Sequence, residues 1–143
     1  AEAMGTHRVY TPALVIAGAT DVVGSDRAGI AKRVAAAPAQ RAIPAHAARD
    51  GARVTITATA PADADAWVAL WQDGAVTEVT RGENQGERLT SDRIVRRFER
   101  VALAGHDGSI TLAIDPAWTH VGAAVLAQRA DKAIVGATVL ALE

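Results

Sequence analysis

The sequence contains no cysteine, which excludes disulfide bonds, thiolate metal ligands and thiol nucleophiles from this chain. Aromatic residues make up only 3% of the 143 residues, so a buried core must be mainly aliphatic. The net charge is −1, and neither a nucleic acid nor an anionic membrane surface is an expected partner. No apolar run approaches the roughly 18 residues of a membrane-spanning helix, so we expect no transmembrane segment.

Catalytic motifs are equally scarce. The four histidines lack the mutual spacing of a metal site. A phosphate-binding glycine loop followed by lysine and a Gly-x-Ser-x-Gly nucleophile motif are both absent. We therefore predict no cofactor, no metal ligand and no catalytic residue for this chain.

The N-terminal region predicts a strand over residues 8–18, where an apolar run follows Thr11 and Pro12 and stops at a glycine. Proline cannot donate a ladder hydrogen bond, so Pro12 is expected at a strand start or a sheet edge. An X-Pro bond at this place can be cis at small cost. Residues 21–25 then form a short turn or a second strand.

A helix is predicted over residues 28–37, because Ser25 or Asp26 is a suitable N-cap and helix-forming residues follow. Ile30 and Val34 would share its buried face. The strand, turn and helix indicate part of an α/β element over residues 1–45.

Proline, glycine and alanine dominate residues 38–51, which we interpret as a linker and as the domain boundary. Beyond it, apolar and polar residues alternate with the period of β-strands. At least six strands at this spacing predict an antiparallel β-sandwich over residues 50–143. The predicted strands are residues 53–59, 66–72, 75–80, 109–114, 121–128 and 133–142.

Asp73-Gly74 predicts a hairpin that joins residues 66–72 to residues 75–80. Trp67 and Trp71 share one face of the first of these strands, and we expect them to pack in the core rather than to form a ligand platform. Residues 91–101 fit both a capped helix and a strand, and the neighbouring hairpins favour the strand.

Four groups of segments form a recognisable series along the chain: Tyr10-Thr11-Pro12 with Gly18, residues 23–27, residues 81–90 with Val95-Arg96, and residues 125–128 leading to residues 134–137. In this order they resemble the domain-of-unknown-function family 1223, which comprises secreted bacterial proteins with a thioredoxin-like fold. The resemblance covers essentially the whole chain, but it corresponds to the later part of a family member.

The resemblance implies the C-terminal half of a thioredoxin-like α/β unit packed on the sandwich, an α+β fold that is mainly β. Members of the family begin with a strand and a Cys-x-x-Cys-type motif, and neither is in this chain. Pro12 corresponds to the expected cis-proline, and no nucleophile carries over. The resemblance also implies a periplasmic or secreted location.

Two loops are candidate ligand or partner sites. Thr11 and Pro12 would present backbone groups to a substrate chain or to a dithiol on another segment. The second loop contains two glycines that free its backbone, and its polar side chains could pair with one another, a ligand or a hard cation. Its candidate residues are Arg81, Glu83, Asn84 and Arg88. A hairpin whose charges satisfy its own backbone is the favoured interpretation of this second loop.

We expect a non-catalytic structural or interaction module. One alternative is part of a thiol-disulfide oxidoreductase whose Cys-x-x-Cys half lies on a missing segment or a separate chain. The other is a small-ligand or cation binder at the loop from Arg81 to Arg88. A one- or two-stranded α/β unit leaves sheet edges open. We therefore expect another protein segment or chain, a second copy, or the sandwich itself to complete the sheet near Val9–Ile16.

Overall fold

The computed structural model describes residues 12–39 and 41–142. They form two four-stranded antiparallel sheets, a two-stranded hairpin followed by a helix, and a separate two-stranded ribbon. The elements are β1 (Ala13–Ile16), β2 (Thr20–Val23), α1 (Arg27–Ala36), β3 (Ala45–Asp50), β4 (Arg53–Thr59), β5 (Ala64–Gln72), β6 (Ala75–Glu78), β7 (Arg88–Ser91), β8 (Ile94–Val101), β9 (Leu103–Ala104), β10 (Asp107–Ala113), β11 (Val121–Arg129) and β12 (Ile134–Leu140).

The two larger sheets have the strand orders β3-β4-β10-β9 and β12-β11-β5-β8. The inner faces of the two sheets share one hydrophobic core. The prediction of a mainly β, antiparallel fold is thereby confirmed. On β4 the alternation is as predicted, because Val54, Ile56 and Ala58 are all buried. Alternate residues of β5 and β11 fill the opposite side of this core: Ala66, Val68, Leu70, Ala123, Val125 and Ala127.

The N-terminal element is a β1–β2 hairpin followed by α1. The Asp26 carboxylate accepts a hydrogen bond from the Gly29 amide at 2.9 Å, as expected of an N-cap. The prediction that Ile30 and Val34 form a buried face of the helix is wrong, because α1 has no fully buried residue and Val34 is 56% exposed. The sequence spacing is helical, and Ile30 is half-buried, but Val34 on the same face stays largely open to solvent. Residues 8–11 of the predicted first strand lie outside the described residues.

This element joins the sandwich through backbone contacts at the edge of β12. The Ile134 amide donates to the Ala17 carbonyl at 2.8 Å. Gly18 has φ +69°, and a side chain there would collide with the carbonyl of Lys132. Farther along, the Ala137 amide donates to the Arg41 carbonyl at 2.9 Å, so the chain after α1 runs along the same edge.

The linker prediction for residues 38–51 is wrong over its second half, because β3 pairs with β4 from Ala45 to Asp50. Ala45 and Ala47 pack against the core, whereas His46 between them is exposed. Because alanine is only weakly apolar, the alternation of apolar and polar residues along β3 is too weak to predict a strand. Pairing with β4 stabilises β3, although the strand propensity of its residues is low.

The predicted hairpin at Asp73-Gly74 is also wrong. β5 pairs with β11 and β8, whereas β6 pairs with β7. The reason lies in the side chains, since Asp73 accepts from the Arg93 amide and Asp92 accepts from the Gly74 amide, both at 2.7 Å. These bonds hold the turn that follows β5 against the turn that precedes β8. The chain therefore continues from β5 into the β6–β7 ribbon and returns into β8. The strand interpretation of residues 91–101 is confirmed over most of its length by β8.

Candidate functional site

The sheet β12-β11-β5-β8 carries an apolar surface on the side turned away from the core. Cross-strand register places Phe98 opposite Ala69, Ala69 opposite Ala124, and Ala124 opposite Val139. Val95 stands opposite Trp71 in the same sheet. The outer aromatic face is our name for five residues on this side: Trp67, Trp71, Val95, Phe98 and Val139.

The core-packing prediction is wrong for Trp67, which is only half-buried on the outer side of the sheet. Trp71 is buried as predicted, but on this outer side and not in the core between the two sheets. Both alternate with Val68 and Leu70, which are fully buried, and neither tryptophan belongs to the core cluster. Because β5 is apolar on both faces, its alternation identifies two faces without showing which one meets the other sheet. The smaller aliphatic residues fill the space between the sheets, and the indole rings lie outside.

Trp67 forms the centre of this face together with Phe98. Their rings are parallel to within 7°, with centroids 5.2 Å apart, an arrangement of aromatic pairs that adds to packing. Phe98 nevertheless stays 51% exposed. Next to the pair, Arg100 forms an ion pair with Asp65 at 2.5 Å. The result is an apolar patch with a charged border.

Trp71 occupies a fixed position at one end of the face. A Cβ atom added at Gly122 would lie 2.5 Å from the indole, so only glycine leaves room for the ring on β11. On the other side, the Arg93 guanidinium carbon lies 4.5 Å from the ring centroid, within cation–π range. Trp71 is consequently only 8% exposed.

The turn that carries Arg93 is held in an unfavourable backbone conformation. Arg93 has φ +56° and His120 has φ +50°, and each such non-glycine residue costs on the order of 1 kcal/mol or more. Both contact Asp73, which accepts from the Arg93 amide at 2.7 Å and donates its own amide to the His120 carbonyl at 3.2 Å. Three loops thus converge beside Trp71 and fix the guanidinium over its ring.

Gln72 anchors the edge strand. It is a buried polar residue, and its side-chain oxygen accepts two hydrogen bonds from Arg96, at 2.8 and 3.1 Å. Its side-chain nitrogen donates to the Thr119 hydroxyl at 3.4 Å. The β5–β8 register shifts at this point, so these bonds hold β8 where its ladder is interrupted.

The sequence-predicted site residues lie on two different hairpins. Pro12 precedes β1, and its carbonyl accepts from the Gly24 amide at 2.7 Å. Thr11 lies outside the described residues, and the cis-proline and the completed sheet at Val9–Ile16 stay predictions. No hydrogen bond or ion pair between described residues joins Pro12 to the second loop.

The second loop is the exposed tip of the β6–β7 ribbon. Its backbone closes on itself, because the Gly86 amide donates to the Val79 carbonyl at 2.8 Å and the Glu87 amide donates to the Asn84 carbonyl at 3.1 Å. Arg88 forms an exposed ion pair with Glu78 at 3.3 Å. Arg81 and Glu83 are exposed and form no ion pair with another described residue.

Within residues 12–39 and 41–142, no three histidine or acidic side chains are grouped so that they could hold a metal ion. The one helix of this part of the chain is too short and too polar to cross a membrane.

The comparison with known families decides the affiliation of the chain. The model of the family described as protein of unknown function (DUF1223) matches residues 1–128. This chain belongs to DUF1223. The family resemblance seen in the sequence is thereby confirmed.

A crystal structure of a protein from Agrobacterium tumefaciens is similar to this DUF1223 chain, with 25% sequence identity and a TM-score of 0.63. The similarity covers 99% of this chain and 68% of the Agrobacterium protein. No curated protein has significant sequence similarity to the chain.

Proposed function

We propose that this DUF1223 chain is the non-catalytic C-terminal part of a secreted thioredoxin-like protein and that it acts as an interaction module. The outer aromatic face is its contact surface. One observation carries the proposal: Val95, Phe98 and Val139 are each more than half exposed on the side of the sheet opposite the core. Exposed apolar patches with a polar border mark interaction surfaces in soluble proteins.

The other sheet supplies a comparison within the same molecule. On its outer side, the Thr55 and Thr111 hydroxyls are hydrogen-bonded at 2.9 Å, and the Thr59 hydroxyl donates to Asp107 at 2.5 Å. That face is polar, as expected of a sheet side that meets water. The contrast between the two outer faces supports a binding role for the aromatic one.

Site-specific photo-crosslinking in the source organism tests this role. A photoreactive benzoylphenylalanine replaces Val95 on the aromatic face and, as the matched control, Thr111 on the polar face. We expect a defined crosslinked adduct from position 95 and none from position 111, because only the first position lies in the proposed contact surface. The additional substitution Phe98→Ser should reduce the adduct by about tenfold, since buried aromatic anchors dominate interface energies.

Equal crosslinking from the two positions would contradict the proposal, as would an adduct at position 95 that persists undiminished with Phe98→Ser. Circular dichroism of the Phe98→Ser protein distinguishes lost binding from lost folding.

The N-terminal element favours a second candidate function, part of a thiol-disulfide oxidoreductase whose Cys-x-x-Cys half lies on another segment or chain. Pro12 leads into a β-hairpin and a helix, the order implied for the later half of a thioredoxin-like unit. Leu14, Val15 and Val23 are exposed on this hairpin, and α1 buries no residue. A further segment that completes the sheet near Val9–Ile16 would cover these side chains.

Size-exclusion chromatography with light scattering checks this arrangement. We expect the isolated chain to associate with itself. When a DUF1223 segment with the Cys-x-x-Cys motif is added, we expect this self-association to be replaced by a complex of one chain with one segment. A stable monomer that does not bind that segment would contradict the completed sheet. Insulin reduction by the isolated chain would contradict its non-catalytic role, since the thiolate is the nucleophile of that reaction.

A further inference from the structure

Two adjoining cavities lie where the β1–β2 hairpin meets the sandwich. The larger has a volume of about 290 Å³ and the smaller a volume of about 180 Å³. Three residues line both, namely Ala17, Ala19 and Pro38. We call the pair the junction cleft.

Backbone contacts preform the junction cleft. Ala17 has φ +52°, a conformation that a non-glycine residue adopts only at a cost, and its carbonyl accepts from the Ile134 amide at 2.8 Å. The adjacent Gly18 packs so closely on Lys132 that no side chain fits there. The hairpin turn is thus held against β12, and the walls exist before any ligand arrives.

The lining of the cleft combines apolar walls with positive charge. Ile134 and Val135 line the larger cavity together with Arg41 and Arg129, and Arg33 lines the smaller one. No carboxylate is among the lining residues of either cavity. Arg129 is paired with Asp63 at 2.6 Å, whereas Arg33 and Arg41 form no ion pair with another described residue.

We infer that the junction cleft binds a small amphipathic carboxylate, whose apolar body lies along Ala17, Ala19 and Pro38 and whose head group pairs with Arg41. The guanidinium fork matches a carboxylate in geometry and charge. A volume of about 290 Å³ holds about ten non-hydrogen atoms, at roughly 30 Å³ for each water-sized group. A medium-chain fatty acid has this size.

Titration of the full chain with octanoate, followed by amide NMR shifts, tests the inference. We expect saturable shifts at Ala17, Ala19 and Ile134, and much weaker shifts with octylamine, which has the same body and the opposite charge. Arg41→Ala should weaken octanoate binding about tenfold, the loss expected when a charge-assisted hydrogen bond is removed. Arg97→Ala, which removes a charge from β8, is the matched control and should leave the affinity unchanged.

Four results would overturn the inference: equal shifts with octanoate and octylamine, shifts confined to the outer aromatic face, an unchanged affinity in Arg41→Ala, or binding to anionic phospholipid vesicles without binding to octanoate. The amide spectrum of each variant shows directly whether it is folded.

Discussion

Leu70→Ala is expected to lower the free energy of unfolding by about 2–5 kcal/mol, the range for truncating a fully buried leucine. Leu70 has no exposed surface and lies in the core between the two sheets. The substitution removes its packing and leaves a cavity, because the backbone of a central strand is paired on both sides and cannot collapse. Urea denaturation of the two proteins measures the difference.

The same substitution at Leu89 is the matched control. Leu89 is 45% exposed on the ribbon strand β7, and Leu89→Ala should change the free energy of unfolding by only about 0.5 kcal/mol. Equal losses at the two positions would contradict the assignment of the inner face of β5 to the core.

Gly122→Val is the second substitution with a large expected effect. A side chain at this position meets the Trp71 indole, so the ring must leave its place between β11 and Arg93. We expect a loss of about 1–3 kcal/mol from the overpacking, with changed near-ultraviolet circular dichroism of tryptophan. The lost cation–π contact adds to this cost, by about 0.5–1 kcal/mol.

A double-mutant cycle separates this steric effect from a general weakening of β11. In a Trp71→Leu background the ring that obstructs the new side chain is gone, so Gly122→Val should cost much less there than in the natural sequence. The coupling energy between the two positions should then exceed about 0.5 kcal/mol. Additive effects would show that Gly122 is not required by Trp71.

The strands of the sandwich could be predicted because most of them alternate strongly. Val54 and Ile56 on β4 are separated by a threonine, and this pattern alone identifies the buried face. β3 was missed because its inward residues are alanines, and its pairing with β4 decides its structure. The prediction of a hairpin at Asp73-Gly74 was wrong because Asp92 and Arg93, which are distant in sequence, form hydrogen bonds with that turn.

Only part of the outer aromatic face could be predicted from the sequence. The spacing of Trp67 and Trp71 correctly places them on one face of a strand, but β5 is apolar on both sides, so the sequence does not tell which face meets the other sheet. On β8, Phe98 alternates with Arg97 and Glu99, a pattern that predicts an inward Phe98. Arg97 and Glu99 nevertheless stand opposite the buried Leu70 and Val68, so this edge strand points to the wrong face as well. The junction cleft depends on contacts between distant segments, such as Ala17 with Ile134, and no local pattern reports them.

Hydroxyl-radical footprinting of Trp67 and Phe98 tests most directly whether the outer aromatic face binds a partner. The purified chain and the same chain within cells of the source organism are compared, with the polar outer face at Thr111 as the internal reference. We predict rapid oxidation of Phe98 in the purified chain and strong protection of both rings in the cell. Equal oxidation in the two settings would show that the face stays open to water, and would contradict its role as a contact surface.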